Sequence, residues 1–145
     1  MNYHINVTIA RGWLAAIALM LLILPVAAQP TTGPRLTFVK DKHEFGDIPV
    51  DTITRDTAIY LDVLFTNTGD EPLTINSVNA CCGTELINRP QEPINPGDTA
   101  TIQLSLTLRP RIRTFLRAIT VYSNSSDRPA IVFPITGTVT YGHKP

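Results

Sequence analysis

The chain has 145 residues, of which 43% are hydrophobic and 17% charged, and its 12 basic and 12 acidic side chains cancel. This length suits one domain, and the charge balance excludes a strong general attraction to nucleic acid or to an anionic membrane. The two cysteines are adjacent in sequence, so no disulfide framework is expected, and a domain of this size can fold without one.

The N-terminal segment predicts a cleaved secretory signal peptide over residues 1–28. Polar residues that end at Arg11 precede an unbroken apolar run, Trp13 to Leu24, and small residues follow. This order is typical of secretory signals. The alternative, a membrane anchor, is disfavoured because the apolar stretch is shorter than the roughly 20 residues that span a bilayer. We therefore expect cleavage between Ala28 and Gln29, and a periplasmic, cell-surface or secreted protein without a stable membrane anchor.

The rest of the chain predicts a β-rich domain over residues 35–141, between a flexible leader, 29–34, and a short tail, 142–145. Apolar residues recur at every second position, and no segment of adequate length has the helical period of 3.6. The predicted strands are Leu36–Val39, Glu44–Ile48, Ala58–Asn67, Leu73–Ala80, Ala100–Leu108, Phe115–Ser123 and Ala130–Val139. About seven short strands separated by turns indicate an all-β, immunoglobulin-like sandwich of two sheets.

The alternation also predicts which side chains enter the core and where the chain turns. A parity shift between Ile75 and Val78 indicates a bulge, and Pro96-Gly97 fits the centre of a type II turn. Asn67-Thr68-Gly69-Asp70 is predicted as a turn by its composition, and the Asn67 side-chain amide is expected to bond to nearby backbone. The segment Cys81 to Asp98 is predicted as a long connection. The residues expected to face inward are Ile59, Leu61, Val63, Phe65, Ala100, Ile102, Leu104, Leu106, Leu108, Ile119, Val121, Ile131, Phe133, Ile135 and Val139.

Several short motifs along the chain resemble those of a known family. They are Phe45-Gly46-Asp47-Ile48, Val63-x-Phe65-x-Asn67-x-Gly69-Asp70, Pro72-Leu73-x-Ile75-x-x-Val78, Cys82-Gly83, Pro93-Ile94-x-Pro96-Gly97, Ser123-Asn124 and Ile135-x-Gly137-x-Val139. Together they resemble the bacterial exported Ig-like domain-of-unknown-function family, which is similar to abnormal-spindle–hydin domains and found in Bacteroides-like bacteria. The resemblance implies an exported β-sandwich of undefined role. Members usually carry Cys-Gly-Cys, whereas Thr84 stands at the second cysteine position here.

The sequence carries no signature of catalysis. It has no Gly-x-Ser-x-Gly elbow, no His-Glu-x-x-His, no Cys-x-x-Cys and no glycine-rich phosphate loop after a strand. We therefore expect no enzymatic activity, no cofactor and no metal.

A basic cluster is the clearest charge feature and the first candidate binding site. If the connection after Leu108 is extended, Arg109, Arg111 and Arg113 point the same way, with Arg117 nearby. Guanidinium groups could bind carboxylates, phosphates or acidic sugars. A solvated hairpin tip is the alternative, because exposed charges contribute little.

The outer face of the last two strands is the second candidate surface. With Ile119 and Val121 inward, Leu116 and Tyr122 point outward, as does Val132 on the next strand. Adjacent strands would place these three on one exposed sheet face, although single exposed apolar residues are normal.

Three Asp-Thr-aliphatic sequences predict sites of modification. Thr52, Thr57 and Thr99 each follow an aspartate and precede Ile or Ala, which resembles the periplasmic O-glycosylation motif of Bacteroides-like bacteria. The alternative is that each aspartate is a turn residue before a strand.

The vicinal cysteines support an alternative function. Alternation from Val78 and Ala80 puts Cys82 inward and Cys81 outward, where a lone exposed thiol could link two chains by a disulfide. The opposite facing argues against both thiolates binding one soft metal ion.

Our leading interpretation is an exported, non-enzymatic Ig-like module that binds or scaffolds another envelope or surface protein or glycan. The alternative is a thiol or soft-metal handling envelope protein that uses Cys81 and Cys82.

Overall fold

The computed structural model describes residues 32–54, 57–111 and 113–141, which form eight β-strands and one short 3-10 turn, Val50–Thr52. The predicted signal peptide and tail lie outside the described residues. The strands are β1 (Leu36–Phe38), β2 (His43–Pro49), β3 (Ala58–Asn67), β4 (Ile75–Ala80), β5 (Thr84–Asn88), β6 (Thr99–Thr107), β7 (Arg113–Ser123) and β8 (Ala130–Thr140).

The strands form two four-stranded sheets, in the orders β1-β3-β6-β5 and β2-β8-β7-β4. All pairings are antiparallel except that of β2 with β8. In each sheet the longest strands lie in the centre and the shorter ones at the edges. The predicted all-β, Ig-like sandwich of two sheets is therefore confirmed.

The core lies between the sheets and follows the predicted alternation. On β3, Leu61, Val63 and Phe65 are buried, and the polar or exposed residues between them face outward. The same period of two buries Ile102, Leu104 and Leu106 on β6 and the predicted inward residues of β7 and β8. A smaller second cluster, Ile53, Leu108, Phe115 and Val139, fills one end of the sandwich.

The predicted bulge and turns are also present. The register of β4 against β7 shifts between Ile75 and Ser77. At Pro96-Gly97, the Asp98 amide donates to the Asn95 carbonyl over 3.0 Å, and Gly97 has a φ of +83°. Positive φ after proline is the requirement of a type II turn.

Asn67 at the end of β3 ties three chain segments together. Its side chain is fully buried and donates from Nδ2 to the carbonyls of Glu71 and Ile94, over 2.7 and 2.9 Å. Its Oδ1 accepts from the amides of Arg35 and Gly69. The predicted tie between this amide and nearby backbone is confirmed, and its reach to Ile94 anchors the long connection to the core.

Two features differ from the sequence expectation. The segment predicted as one long connection contains a strand, β5, which pairs with β6 at the edge of its sheet. Gly33 and Pro34, predicted in the flexible leader, are buried, and the Pro34 carbonyl accepts from the Ser126 amide over 2.8 Å. The sequence did not predict β5 because a short edge strand carries few apolar residues and therefore gives a weak periodic signal.

Candidate functional site

The two cysteines lie in a tight turn that carries the chain from one sheet to the other. β4 ends at Ala80, and the Thr84 amide at the start of β5 donates to the Cys81 carbonyl over 3.0 Å. Cys82 and Gly83 both have positive φ, +61° and +78°, the pattern of a type I′ turn. We call Cys81–Thr84 the dithiol turn. A non-glycine residue rarely adopts this backbone conformation.

The prediction that Cys82 faces inward is wrong, whereas the predicted exposure of Cys81 is confirmed. Both cysteines are exposed, and the Cys82 thiol donates a hydrogen bond to Cys81 Sγ over 2.9 Å. The strand alternation that placed Cys82 ends at Ala80, and the positive φ of Cys82 then turns its side chain outward. The two thiols therefore do not face opposite sides, which was the argument from the sequence against their binding one soft metal ion together.

The hydrogen bond between the thiols also affects the acidity of Cys81. It is the main cause of the raised pKa of Cys81, and the Arg117 guanidinium acts in the opposite direction.

All four arginines of the predicted basic cluster line one open pocket. This arginine pocket has a volume of about 470 Å³ and is lined by Cys82, Gly83, Thr107, Arg109, Arg111, Arg113 and Arg117. Three of the arginines, at positions 109, 111 and 113, are exposed. The connection before β7 is not extended as assumed, because the Arg111 amide donates to the Arg109 carbonyl over 2.7 Å. A tight local turn, rather than an extended strand, brings the side chains to one pocket.

Arg117 differs from the other three because it is only 8% exposed. Its Nη1 donates to the Gly83 carbonyl and its Nη2 to the Thr107 carbonyl, each over 2.8 Å. Its guanidinium carbon lies 5.4 Å from the centre of the Phe115 ring. Burial is the main cause of its lowered pKa, followed by the charge of Arg113. Arg117 therefore joins the dithiol turn to the end of β6 and forms the base of the pocket.

No described carboxylate neutralises the pocket. The ion pairs among residues 32–54, 57–111 and 113–141 join Lys42 to Glu44 and both Arg35 and Arg128 to Asp127. Carbonyl dipoles satisfy two donors of Arg117 without cancelling its charge. Since a buried charge without a counter-charge is costly, the pocket has a physical reason to attract an anion.

The second predicted surface is only partly assembled. Leu116, Tyr122 and Val132 are all exposed on the outer face of their sheet. Val132 pairs with Thr120, next but one to Tyr122 on β7, so these two are diagonal neighbours. Leu116 lies six residues from Tyr122, about 20 Å along the strand. The structure therefore brings two of these residues together and leaves the third apart.

The three threonines predicted as modification sites differ in access. Thr52 is exposed, and its hydroxyl donates to the Pro49 carbonyl over 2.7 Å. Thr99 is also exposed, at the start of β6, with its hydroxyl 2.9 Å from that of Thr66. Thr57 is half-buried, and its hydroxyl accepts from the Thr54 amide over 2.8 Å. Glycosylation at these sites stays a prediction.

The sequence interpretation missed the burial of Thr84, the last residue of the dithiol turn. It is 4% exposed, and its hydroxyl has no hydrogen-bond partner among the described residues. It also missed the carbonyls of Gly83 and Thr107 as partners of Arg117. The sequence did contain one indication that Arg117 is buried. It lies two residues before Ile119, so the alternation that turns Ile119 and Val121 inward also turns Arg117 inward.

Residues 32–54, 57–111 and 113–141 contain no cluster of three or more His, Cys, Asp or Glu side chains that could hold a metal ion. Within the same part of the chain, no helix is long and apolar enough to cross a membrane.

Solved structures with similar folds come from diverse proteins. A protein of unknown function from Porphyromonas gingivalis W83 aligns over 77% of this chain and 50% of its own, with 13% identity and a TM-score of 0.59. The secreted serine protease VesC from Vibrio cholerae aligns over 72% of this chain and 23% of its own, with 12% identity and a TM-score of 0.55. This chain thus corresponds to half or less of either protein, and at such identities the likeness shows the fold alone.

The ASH/PapD-like domain 7 of human CEP192 aligns over 83% of this chain and 94% of its own, with 7% identity and a TM-score of 0.46. No curated protein matches the chain. A family model does match, and it extends from β1 to near the end of β8, residues 36–139. The chain therefore belongs to the family described as "Protein of unknown function (DUF1573)", which confirms the resemblance drawn from its motifs.

Proposed function

We propose that this protein is an exported, non-enzymatic Ig-like module whose arginine pocket binds an anionic group of another envelope or surface component. The observation that carries the proposal is the convergence of four arginines on one pocket without a described carboxylate partner. The export part of the proposal relies on the N-terminal sequence pattern, and the absence of catalytic motifs supports the non-enzymatic part.

The pocket combines a buried, hydrogen-bonded base with exposed walls. Arg117 is held in place by two carbonyls and an aromatic ring, so little side-chain entropy is lost when an anion approaches it. The three exposed arginines can close around the bound group with charge-assisted hydrogen bonds, which are about twice as strong as neutral ones. Carboxylates, phosphates and acidic sugars present the required oxygen atoms.

A labelled poly-glutamate peptide tests anion binding by fluorescence anisotropy. We expect the full-length protein to bind it, and the double variant Arg111→Glu, Arg113→Glu to lose binding with its fold intact, because both residues are exposed outside the core. The matched control is Lys40→Glu, Lys42→Glu, which makes the same charge change on residues that do not line the arginine pocket. Equal loss in both double variants would show that net charge, not the pocket, attracts the peptide.

Export is tested separately by intact-mass measurement of protein from the envelope fraction. We expect a mass that begins at Gln29. A mass that includes residues 1–28 would refute the cleavage site.

One observation favours the alternative function, soft-metal handling. Both thiols are exposed and converge to 2.9 Å, and soft cations such as Cu(I) select thiolate ligands. The dithiol turn offers only two ligands among the described residues. Titration with Cu(I) against a chromophoric chelator separates the candidates: stoichiometric binding that is lost in Cys81→Ser, Cys82→Ser supports metal handling.

A further inference from the structure

The dithiol turn and the arginine pocket form one continuous surface. Cys82 itself lines the pocket together with the arginines. The Gly83 carbonyl, next in the chain, accepts from both Arg117 and the Thr107 amide over 2.8 Å. The position of the thiols relative to the pocket is therefore fixed by two hydrogen bonds to the Gly83 carbonyl, one from the backbone and one from the Arg117 side chain.

An internal disulfide is not the natural use of this thiol pair. The α-carbons of adjacent residues lie about 3.8 Å apart across a trans peptide, which is below the usual disulfide range of about 4.4–6.8 Å. A Cys81–Cys82 bond would be strained and easily reduced. The thiols are exposed, so a disulfide bond to another molecule carries no such strain.

We propose that Cys82 is a site of thiol–disulfide exchange with a low-molecular-weight anionic disulfide, whose carboxylates bind in the arginine pocket. This inference rests on the anion binding proposed above. The size of the arginine pocket also fits a small ligand. Such pockets typically measure about 300–1,000 Å³, and this one measures about 470 Å³.

The exchange needs no further oxidant or reductant. The Cys82 thiol loses its proton to solvent, and the thiolate attacks one sulfur of the bound disulfide. A bond forms between Cys82 Sγ and that sulfur while the ligand's own S–S bond breaks. The departing half leaves as a thiolate and takes up a proton. One thiol and one disulfide are consumed, and one mixed disulfide and one thiol are formed.

The neighbouring thiol and arginine favour the attacking thiolate. Cys81 lies within hydrogen-bond distance of Cys82 Sγ and can donate its S–H to the anion. Each of the two cysteines, when ionised, raises the pKa of Arg117. A thiolate and the Arg117 guanidinium therefore attract each other. Cys81, which does not line the arginine pocket, thus assists Cys82 through a hydrogen bond.

The test compares three disulfide probes on the full-length protein by intact-mass kinetics. Glutathione disulfide is anionic, cystamine is cationic and 2-hydroxyethyl disulfide is neutral and serves as the reference for intrinsic thiol reactivity. The rate of each charged probe is divided by the rate of this neutral reference. At low salt we expect the resulting ratio to be about tenfold higher for glutathione disulfide than for cystamine. Tenfold is the lower end of the enhancement that a pocket of one charge sign produces. Peptide mapping should place the adduct on Cys82.

Variants assign the preference to the proposed groups. Cys82→Ser should abolish the fast adduct, and Cys81→Ser should slow it but keep the anionic preference. Arg111→Gln, Arg113→Gln should remove the preference, whereas Lys40→Gln, Lys42→Gln should retain it. Equal rates for the anionic and cationic probes, or a preference that survives the arginine changes, would overturn the inference.

Failure of the exchange can be told apart from failure of the proposed function. The variant Cys81→Ser, Cys82→Ser lacks both thiols and keeps all four arginines, so its binding of poly-glutamate reports on the pocket alone. Binding without selective exchange would refute this inference and leave the anion-binding function standing. Absence of both would refute the two together.

Discussion

The unpaired hydroxyl of Thr84 allows a stabilising substitution to be predicted. Thr84 is buried at the start of β5, and its Oγ1 has no described partner. A buried hydroxyl without a hydrogen bond costs about 1–3 kcal/mol relative to its hydrated state in the unfolded chain. Thr84→Val replaces it by a methyl group of similar volume. Both residues are β-branched, so strand preference and side-chain entropy change little.

We expect Thr84→Val to raise the free energy of unfolding by about 1 kcal/mol, the lower end of the cost of the unpaired hydroxyl. For a domain of this size the unfolding midpoint should rise by roughly 3–6 °C. Urea denaturation and thermal melting of the full-length protein measure the change, and an unaltered denaturant slope would show that the same surface is exposed on unfolding.

Ser125→Ala is the matched control, because Ser125 is also 4% exposed but has partners. Its Oγ donates to Asp127 over 2.6 Å and accepts from the Leu36 amide over 3.3 Å. Its removal should cost about 1–3 kcal/mol. A lower midpoint for Thr84→Val would refute the reasoning and indicate that the hydroxyl has a partner, such as water.

Three further predictions concern the core, the thiols and the Asp127 carboxylate. Phe65→Ala should destabilise the domain by about 3–5 kcal/mol, whereas Thr66→Ala should cost little; equal losses in urea denaturation would contradict the alternation of β3. Cys81 and Cys82 should both react with iodoacetamide in the native protein, since both are exposed, and protection of one until denaturation would contradict the dithiol turn. The Ser125 hydrogen bond lowers the pKa of Asp127. The stability that the ionised Asp127 carboxylate contributes should therefore be complete above the ordinary aspartate pKa and decline as the pH falls through the lowered pKa. Denaturation of Asp127→Asn at several pH values should show a smaller decline.

The sequence by itself determined most of the sandwich. A period of two along β3, β6, β7 and β8 identified the inward residues, because neighbouring side chains of a strand must point to opposite faces. Asn67 and Pro96-Gly97 identified turns through their own backbone and hydrogen-bonding preferences. These are local effects, so the residues that produce them are close together in the sequence.

Only the tertiary structure decided the composition of the candidate site. Cys82 turns outward because the chain leaves one sheet for the other at that point with positive φ, and no periodicity extends across such a crossing. Arg117 reaches the carbonyls of Gly83 and Thr107, which lie on two other segments of the chain. Alternation specifies the face on which a side chain lies, but the neighbours it meets there depend on how the strands are ordered and on how their connecting turns bend.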